Sequence, residues 1–233
     1  MAKSEPKPAV KAAKPAVSPR AKGPAKGYIR KILNFFDEYY PAAHCSLDFH
    51  DPFQLLAATI LSAQCTDERV NRTTPALFAR FPGPVAMASA DPAEVEAIIK
   101  PCGFYHNKAK SLIAASESIV RDHSGRVPDT LEELVRLPGV GRKTANVVLG
   151  NAFGVPGLTV DTHLGRLSRR LGLSQNTDPE KVEADLAGLI PRPRWTLFSH
   201  QAIAHGRALC RARGPLCGQC PFEPSCPRTG VDG

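Results

Sequence analysis

From Tyr28 onward, apolar residues recur at three- and four-residue intervals, the period that gives a helix one buried face. Ile29, Ile32, Leu33 and Phe36 form such a stripe for a first helix. The polar punctuation agrees with it. Asp51-Pro52, Asp91-Pro92 and Asp178-Pro179 each place an acceptor side chain before a proline, the pairing expected at an N-cap and first helical residue. Glu94 follows Asp91, and Glu133 follows Thr130, at the spacing of a capping box. Leu131, Leu134 and Val135 then supply the apolar positions of a further helix. Alternating β-branched runs between hairpin turns are missing, and residues 157–160 are the one short extended candidate. The pattern predicts an all-α protein whose helices are joined by short loops, without a repeat of fixed period.

Composition adds a core and an arm. A chain of 233 residues with 42% hydrophobic content can bury a genuine core. No apolar run approaches the roughly 18 residues of a membrane helix, and the start, MAKSEPKPAVKAAKPAV, lacks the apolar segment of a secretory signal. A soluble, cytoplasmic protein is therefore expected. Lys and Arg number 30 against 22 acidic residues, a net of +8. Six lysines and Arg20 against Glu5 put +6 of that within residues 1–27, leaving +2 for the body. With five prolines, no aromatic residue and no apolar stripe, residues 1–27 read as a disordered basic arm. Such an arm either attracts polyanions or merely solubilises or targets the chain.

Two clusters of residues carry candidate chemistry, and the first lies near the C-terminus. Cys210, Cys217, Cys220 and Cys226 follow one another as C-x6-C-x2-C-x5-C. In a reducing compartment disulfides are not expected, and four nearby thiolates suit a soft metal centre. Zinc ribbons usually pair two close Cys-Cys units, whereas only Cys217 and Cys220 are so paired here. The spacing thus favours a [4Fe-4S] cluster and leaves zinc open. Arg207, Arg211, Arg213 and Arg228 make the surrounding loop basic. Cys45, Cys65 and Cys102 are scattered and read as small buried residues.

The second cluster is LPGVGRKTANVVL, residues 137–149. Gly139 and Gly141 allow a tight reversal and a close backbone approach, so that the amides of the turn and of the next helix can face an anion. Acidic residues suit a helix start, yet Arg142 and Lys143 stand there. A bound phosphate would explain them. So would an amine whose pKa is lowered by neighbouring charge and partial burial, which could act as a nucleophile and form a Schiff base. An ordinary surface lysine on a turn is the alternative. Further on, VDTH (160–163) opens a helix with His163, Arg166, Arg169 and Arg170 close together as a basic face. Asp161 reads either as that helix's N-cap or as a carboxylate aimed at a cationic transition state.

Taken together, the hairpin, VDTH and the four-cysteine pattern, in this order, resemble the bacterial endonuclease III family of helix-hairpin-helix DNA glycosylases. The resemblance runs from about Tyr28 to Pro227, and LSAQCTD (61–67) and GFYHNKA (103–109) are similar to family segments that line the DNA cleft. It implies two helical domains flanking a DNA groove: a six-helix barrel with the hairpin over residues 46–156, and a cluster domain built from 28–45 and 157–233. It also implies a monomeric, nucleoid-associated bacterial enzyme of base excision repair, carrying a [4Fe-4S] cluster and acting on duplex DNA with an oxidised pyrimidine or an abasic site. Residue by residue, Lys143 matches the nucleophile, Asp161 the catalytic carboxylate and the four cysteines the cluster ligands. Gln64 matches a residue that fills the gap left by the extruded nucleotide. Phe104 stands where family members commonly carry a leucine wedge, a departure that leaves stacking between bases available. Gly139, Gly141, Arg142, His163 and Arg166 would meet DNA phosphates. The rival readings are a mismatch adenine glycosylase, which typically lacks this lysine, and a non-catalytic DNA-binding metalloprotein.

Overall fold

The computed structural model describes residues 24–231, so all but the last four residues of the expected arm lie outside the described residues. Lys26 and Gly27 already belong to the first helix, because the Ala25 carbonyl accepts from the Tyr28 and Ile29 amides at 2.8 and 3.2 Å. The helical body therefore starts two residues before the expected boundary.

Eleven α-helices and four short 3₁₀ turns follow one another among the described residues, with no strand. They are α1 (Lys26–Tyr39), α2 (Pro52–Leu61), α3 (Asp67–Arg80), α4 (Pro84–Ala88), α5 (Pro92–Ile99), α6 (Tyr105–His123), α7 (Leu131–Leu134), α8 (Arg142–Ala152), α9 (Thr162–Arg170), α10 (Pro179–Ala187) and α11 (Trp195–Ala208). Their buried faces gather into two apolar cores. One runs from Leu47 to Leu149 and joins α2 through α8, six helices of five residues or more plus the single turn α7. The other packs Ile32 and Phe36 of α1 with Leu164, Val182 and Phe198 of α9, α10 and α11. The chain thus begins in the second lobe, builds the first, and returns through residues 157–160. None of the described helices is long and apolar enough to cross a membrane.

Local capping follows the sequence at all three Asp-Pro starts. Asp51, Asp91 and Asp178 accept from the amides of Gln54, Ala93 and Lys181 at 2.9, 3.0 and 3.0 Å. The capping box expected at Asp91 does not close. Glu94 instead forms a two-oxygen pair with Arg80 at the end of α3, a charge-assisted contact stronger than one bond to a neutral amide. At α7 the Thr130 hydroxyl accepts from the Glu133 amide at 3.4 Å and donates to its carboxylate at 2.7 Å, so that box closes through the hydroxyl. Residues 157–160 pair with side chains rather than with another strand. The Thr159 amide donates to Ser199 Oγ, and the Leu158 carbonyl accepts from Asn146.

One buried side chain ties together two loops on the surface of the first lobe. Lys108 of α6 is only 5% exposed, and its Nζ donates to the carbonyls of Leu61 and Cys102 at 2.8 Å each. Burial holds its pKa below the ordinary lysine range. The loops that follow these carbonyls carry Gln64 at φ 53° and Phe104 at φ 48°, both in the left-handed region that favours glycine. Lys108→Met keeps the length of the side chain but leaves two carbonyls without a donor. It should destabilise the fold by about 1 to 3 kcal/mol in urea titration, and an unchanged midpoint would assign the loop geometry to packing alone.

Candidate active site

The hairpin between α7 and α8 is fixed by one glycine and opened by the other. Gly139 has φ +75°, and a Cβ added there would lie 2.6 Å from Ser111 Cβ on α6, so both conformation and space demand glycine. Gly141 differs from the expectation of two special glycines. It sits at φ −89° as the N-cap of α8, with nothing within 4 Å of an added Cβ. No side chain caps α8, so its first amides and the positive end of its dipole face outward. Open backbone of this kind lets an anion come close.

Arg142 and Lys143 start α8 with different fates. The Arg142 guanidinium donates from Nε and Nη2 to both carboxylate oxygens of Glu183 on α10, at 2.8 and 2.7 Å, and this partner raises its pKa above the ordinary range. Lys143 is exposed, so the partial burial expected for it is absent in the protein alone. It lines a cavity of about 310 Å³ together with Asp161, Gln64, Thr144, Val147 and His200. Asp161 has the geometry expected of an N-cap. One carboxylate oxygen accepts from the Leu164 amide at 2.8 Å and caps α9, while the other takes no partner among the described residues.

The two residues read as DNA-probing are exposed on the loops that Lys108 ties down, Phe104 at 63%. The basic face expected on α9 is largely turned inward. Arg166 donates to the Cys210 carbonyl at 3.1 and 2.9 Å and to the Gly206 carbonyl at 3.0 Å. His163 Nδ1 lies 3.2 Å from the same guanidinium. Arg166, expected to meet a phosphate, is thus engaged through Nε and Nη2 by backbone carbonyls of the α11 end and the cysteine loop, while its Nη1 makes an exposed contact to the Thr162 carbonyl at 3.4 Å. Arg170 is buried and donates to the carbonyls of Arg211 and Ala212 at 2.6 and 3.2 Å, with Nη1 3.3 Å from Cys210 Sγ.

Cys210, Cys217, Cys220 and Cys226 line one cavity together with Leu167 and Phe222. As they stand, no three metal-ligating side chains converge on one point among the described residues. The donor chemistry nevertheless fits a thiolate-bound centre. Burial and the neighbouring sulfurs push the Cys220 and Cys226 thiols up, so thiolates at these two positions call for a cationic centre, and the Arg170 guanidinium lies beside Cys210 Sγ.

Three further residues around the site make contacts that the sequence does not signal, although Arg207 stands there among the basic surroundings of the cysteines. Asn146 is buried one turn beyond Lys143 and donates to the Leu158 carbonyl at 2.8 Å. Arg207 in the last turn of α11 reaches Asp67 at the start of α3 at 2.9 Å, linking the lobes at the cavity rim. His200 of α11 bonds Asn151 of α8 at 2.8 Å. Helical spacing alone could have placed Asn146 on the Lys143 helix, but not against residue 158.

Residues 57–192 match the family model described as HhH-GPD superfamily base excision DNA repair protein. Endonuclease III of Synechocystis sp. is 56% identical over 198 residues, covering 84% of this chain and 90% of its own length. Endonuclease III of Escherichia coli K12 is 40% identical over 196 residues, covering 84% and 93%. A non-covalent endonuclease III–DNA complex superposes with TM-score 0.84 at 40% identity, covering 88% of this chain and 96% of that one. A trapped covalent endonuclease III–DNA intermediate gives the same TM-score and identity. With the hairpin, the lysine, the capping aspartate and the cysteine loop arranged as described, the chain belongs to the endonuclease III family within the HhH-GPD superfamily of base excision DNA repair proteins.

Proposed function

We propose that the protein is a bifunctional DNA glycosylase and abasic-site lyase that removes oxidised pyrimidines from duplex DNA and nicks the strand by β-elimination. The observation that carries this reading is the single cavity shared by Lys143 and an Asp161 whose second oxygen has no partner among the described residues. The lysine also argues against a mismatch adenine glycosylase. Residues 46–156 form one wall of the DNA groove, and residues 28–45 with 157–233 form the other. The enzyme acts as a monomer in the cytoplasm, on the nucleoid.

A base inside a duplex is out of reach, so the damaged nucleotide is extruded into the cavity. Gln64 fills the space it leaves, and Phe104 wedges between the neighbouring bases. The open amides at Gly139, Gly141 and the start of α8 bind a phosphate, with the dipole of α8 behind them. Arg142 braces this hairpin against α10 through Glu183. Arg166, His163 and Arg170 shape the cysteine loop, which meets the backbone further along.

Bound DNA covers Lys143, which is exposed in the free protein, and keeps bulk water from the reacting amine. The amine attacks the sugar C1′ as the C1′–N bond breaks and the base leaves with the electron pair. Asp161 keeps one oxygen on the Leu164 amide and directs the other at the positive charge growing on the sugar. After losing a proton, the amine nitrogen uses its lone pair to form C1′=N as the C1′–O4′ bond breaks and the released O4′ takes up a proton; this Schiff base acidifies the C2′ proton. Its removal expels the 3′ phosphate, cutting the strand on that side. Cys210, Cys217, Cys220 and Cys226 would hold a [4Fe-4S] cluster that organises the basic loop, since the reaction transfers no electrons.

Lys143→Ala should abolish both excision and borohydride trapping on DNA, and a trapped adduct from this variant would refute the nucleophile. Asp161→Asn keeps an oxygen for the Leu164 amide, so DNA affinity should persist while single-turnover excision falls about 10²-fold; unchanged turnover would reduce Asp161 to a cap. The purified protein should be brown with broad visible absorption that Cys220→Ser removes. Colourless protein with stoichiometric zinc would overturn the cluster assignment.

A further inference from the structure

Two thiols that the chemistry above leaves unused meet beneath the loops that carry Gln64 and Phe104. Cys65 follows Gln64 directly, and Cys102 lies two residues before Phe104. Both pack on the core of the first lobe, Cys102 at 2% exposure and Cys65 half-buried. The Cys102 thiol is in hydrogen-bond contact with Cys65 and with the side chain of Thr73. Neither sulfur is bonded to another in this structure.

Their surroundings give the two thiols different behaviour. Lys108 Nζ spends two of its three hydrogens on the carbonyls of Leu61 and Cys102, and its charge lies close enough to both sulfurs to interact with them. A cation in this place favours the thiolate that thiol–disulfide exchange requires. Burial acts against it at Cys102 and holds that thiol above the ordinary range. Cys65 keeps part of its surface open to solvent, so it meets a small oxidant first, and the buried Cys102 is placed to attack the sulfur that results. The backbones differ as well. The Cys102 carbonyl is held by Lys108 in the core, whereas the Cys65 amide bonds the Ser62 carbonyl within its own turn, at 3.1 Å.

We propose that Cys65 and Cys102 are a reversible oxidative modification site, at which a small-molecule disulfide links the loops of Gln64 and Phe104 and thereby slows base excision. The Cys65 thiolate attacks the small disulfide; a new S–S bond forms at Cys65 as the old one breaks, and one small thiolate leaves and takes up a proton. Cys102 then gives up its proton and attacks the Cys65 sulfur, expelling the second small thiol. Two protein thiols are oxidised to one disulfide and the small disulfide is reduced to two thiols, so two electrons and two protons are transferred. Bonded sulfurs stand about 2 Å apart, closer than thiols in mere contact. With Cys102 fixed in the core, the Cys65 turn is drawn inward, and Gln64, its neighbour at φ 53°, is displaced with it. The effect on excision rests on the glycosylase reading, whereas formation of the disulfide does not.

The full-length protein, incubated in defined mixtures of oxidised and reduced glutathione, alkylated at its remaining thiols and mapped by mass spectrometry, should yield a disulfide-linked Cys65–Cys102 peptide pair. Single-turnover excision of thymine glycol by the oxidised protein should fall about tenfold, within the loss that a small misplacement of a positioning group produces, and dithiothreitol should restore it. Cys65→Ala should keep the rate of the reduced wild type in every mixture. Thiols that stay free throughout, glutathione retained on Cys65, or a bond from Cys65 to any other cysteine would overturn the proposal. So would a Cys65–Cys102 bond that leaves excision unchanged, or an equal loss of excision in Cys65→Ala. Wild-type protein that forms the bond but excises nothing even when reduced would instead sink the glycosylase reading and leave the thiol pair standing.

Discussion

The active site depends on a buried hydrogen bond that takes no part in the chemistry. Lys143 belongs to a helix of the first lobe and Asp161 caps a helix of the second, so they face one cavity only if the returning chain is held tightly against α8. Asn146 does this by donating to the Leu158 carbonyl. The approach is so close that a Cβ on Gly157 would lie 3.0 Å from the Asn146 carbonyl oxygen. Three residues after Leu158 the chain reaches Asp161 with its direction already set. A buried amide left without that acceptor would carry the cost of an unpaired polar group, so the contact gives the two lobes a register as well as adhesion.

The distribution of charge takes on a different meaning once partners are known. The body carries few net positive charges, and many of its arginines are engaged within the protein: Arg142 with Glu183, Arg207 with Asp67, Arg194 with Asp37. Arg166 and Arg170 hold the carbonyls of the cysteine loop and the end of α11. The first amides of α8, by contrast, are left without a side-chain cap. Backbone donors on a rigid hairpin lose little conformational freedom on binding, whereas a long side chain must be ordered. The arginines that look like DNA ligands along the sequence instead hold the hairpin, the end of α11 and the cysteine loop in place.

Rigidity is also what the probing loops need. Gln64 and Phe104 sit in a backbone region that disfavours side chains, and such strain persists only where surrounding structure enforces it. Lys108 supplies that enforcement from beneath, and the Arg207–Asp67 and His200–Asn151 bonds tie the second lobe to the first around the cavity.

The helical class, the three Asp-Pro starts, the hairpin and the Asp161 cap were legible in the sequence because each rests on contacts within one or two turns. The gathering of the four cysteines along one cavity was legible for the same reason, since they lie within 17 residues of one another. What the chain alone did not decide was which partner each polar group would choose. Glu94 was expected to close its own cap and pairs with Arg80; Arg166 was expected to face outward and turns to Cys210, 44 residues away. Lys108, Asn146 and His200 had no local sign of their roles, because their partners arise only where separate helices pack. Local periodicity determines which elements form. Competition among acceptors in a packed interior decides which charges remain for DNA, and only the tertiary structure resolves that competition.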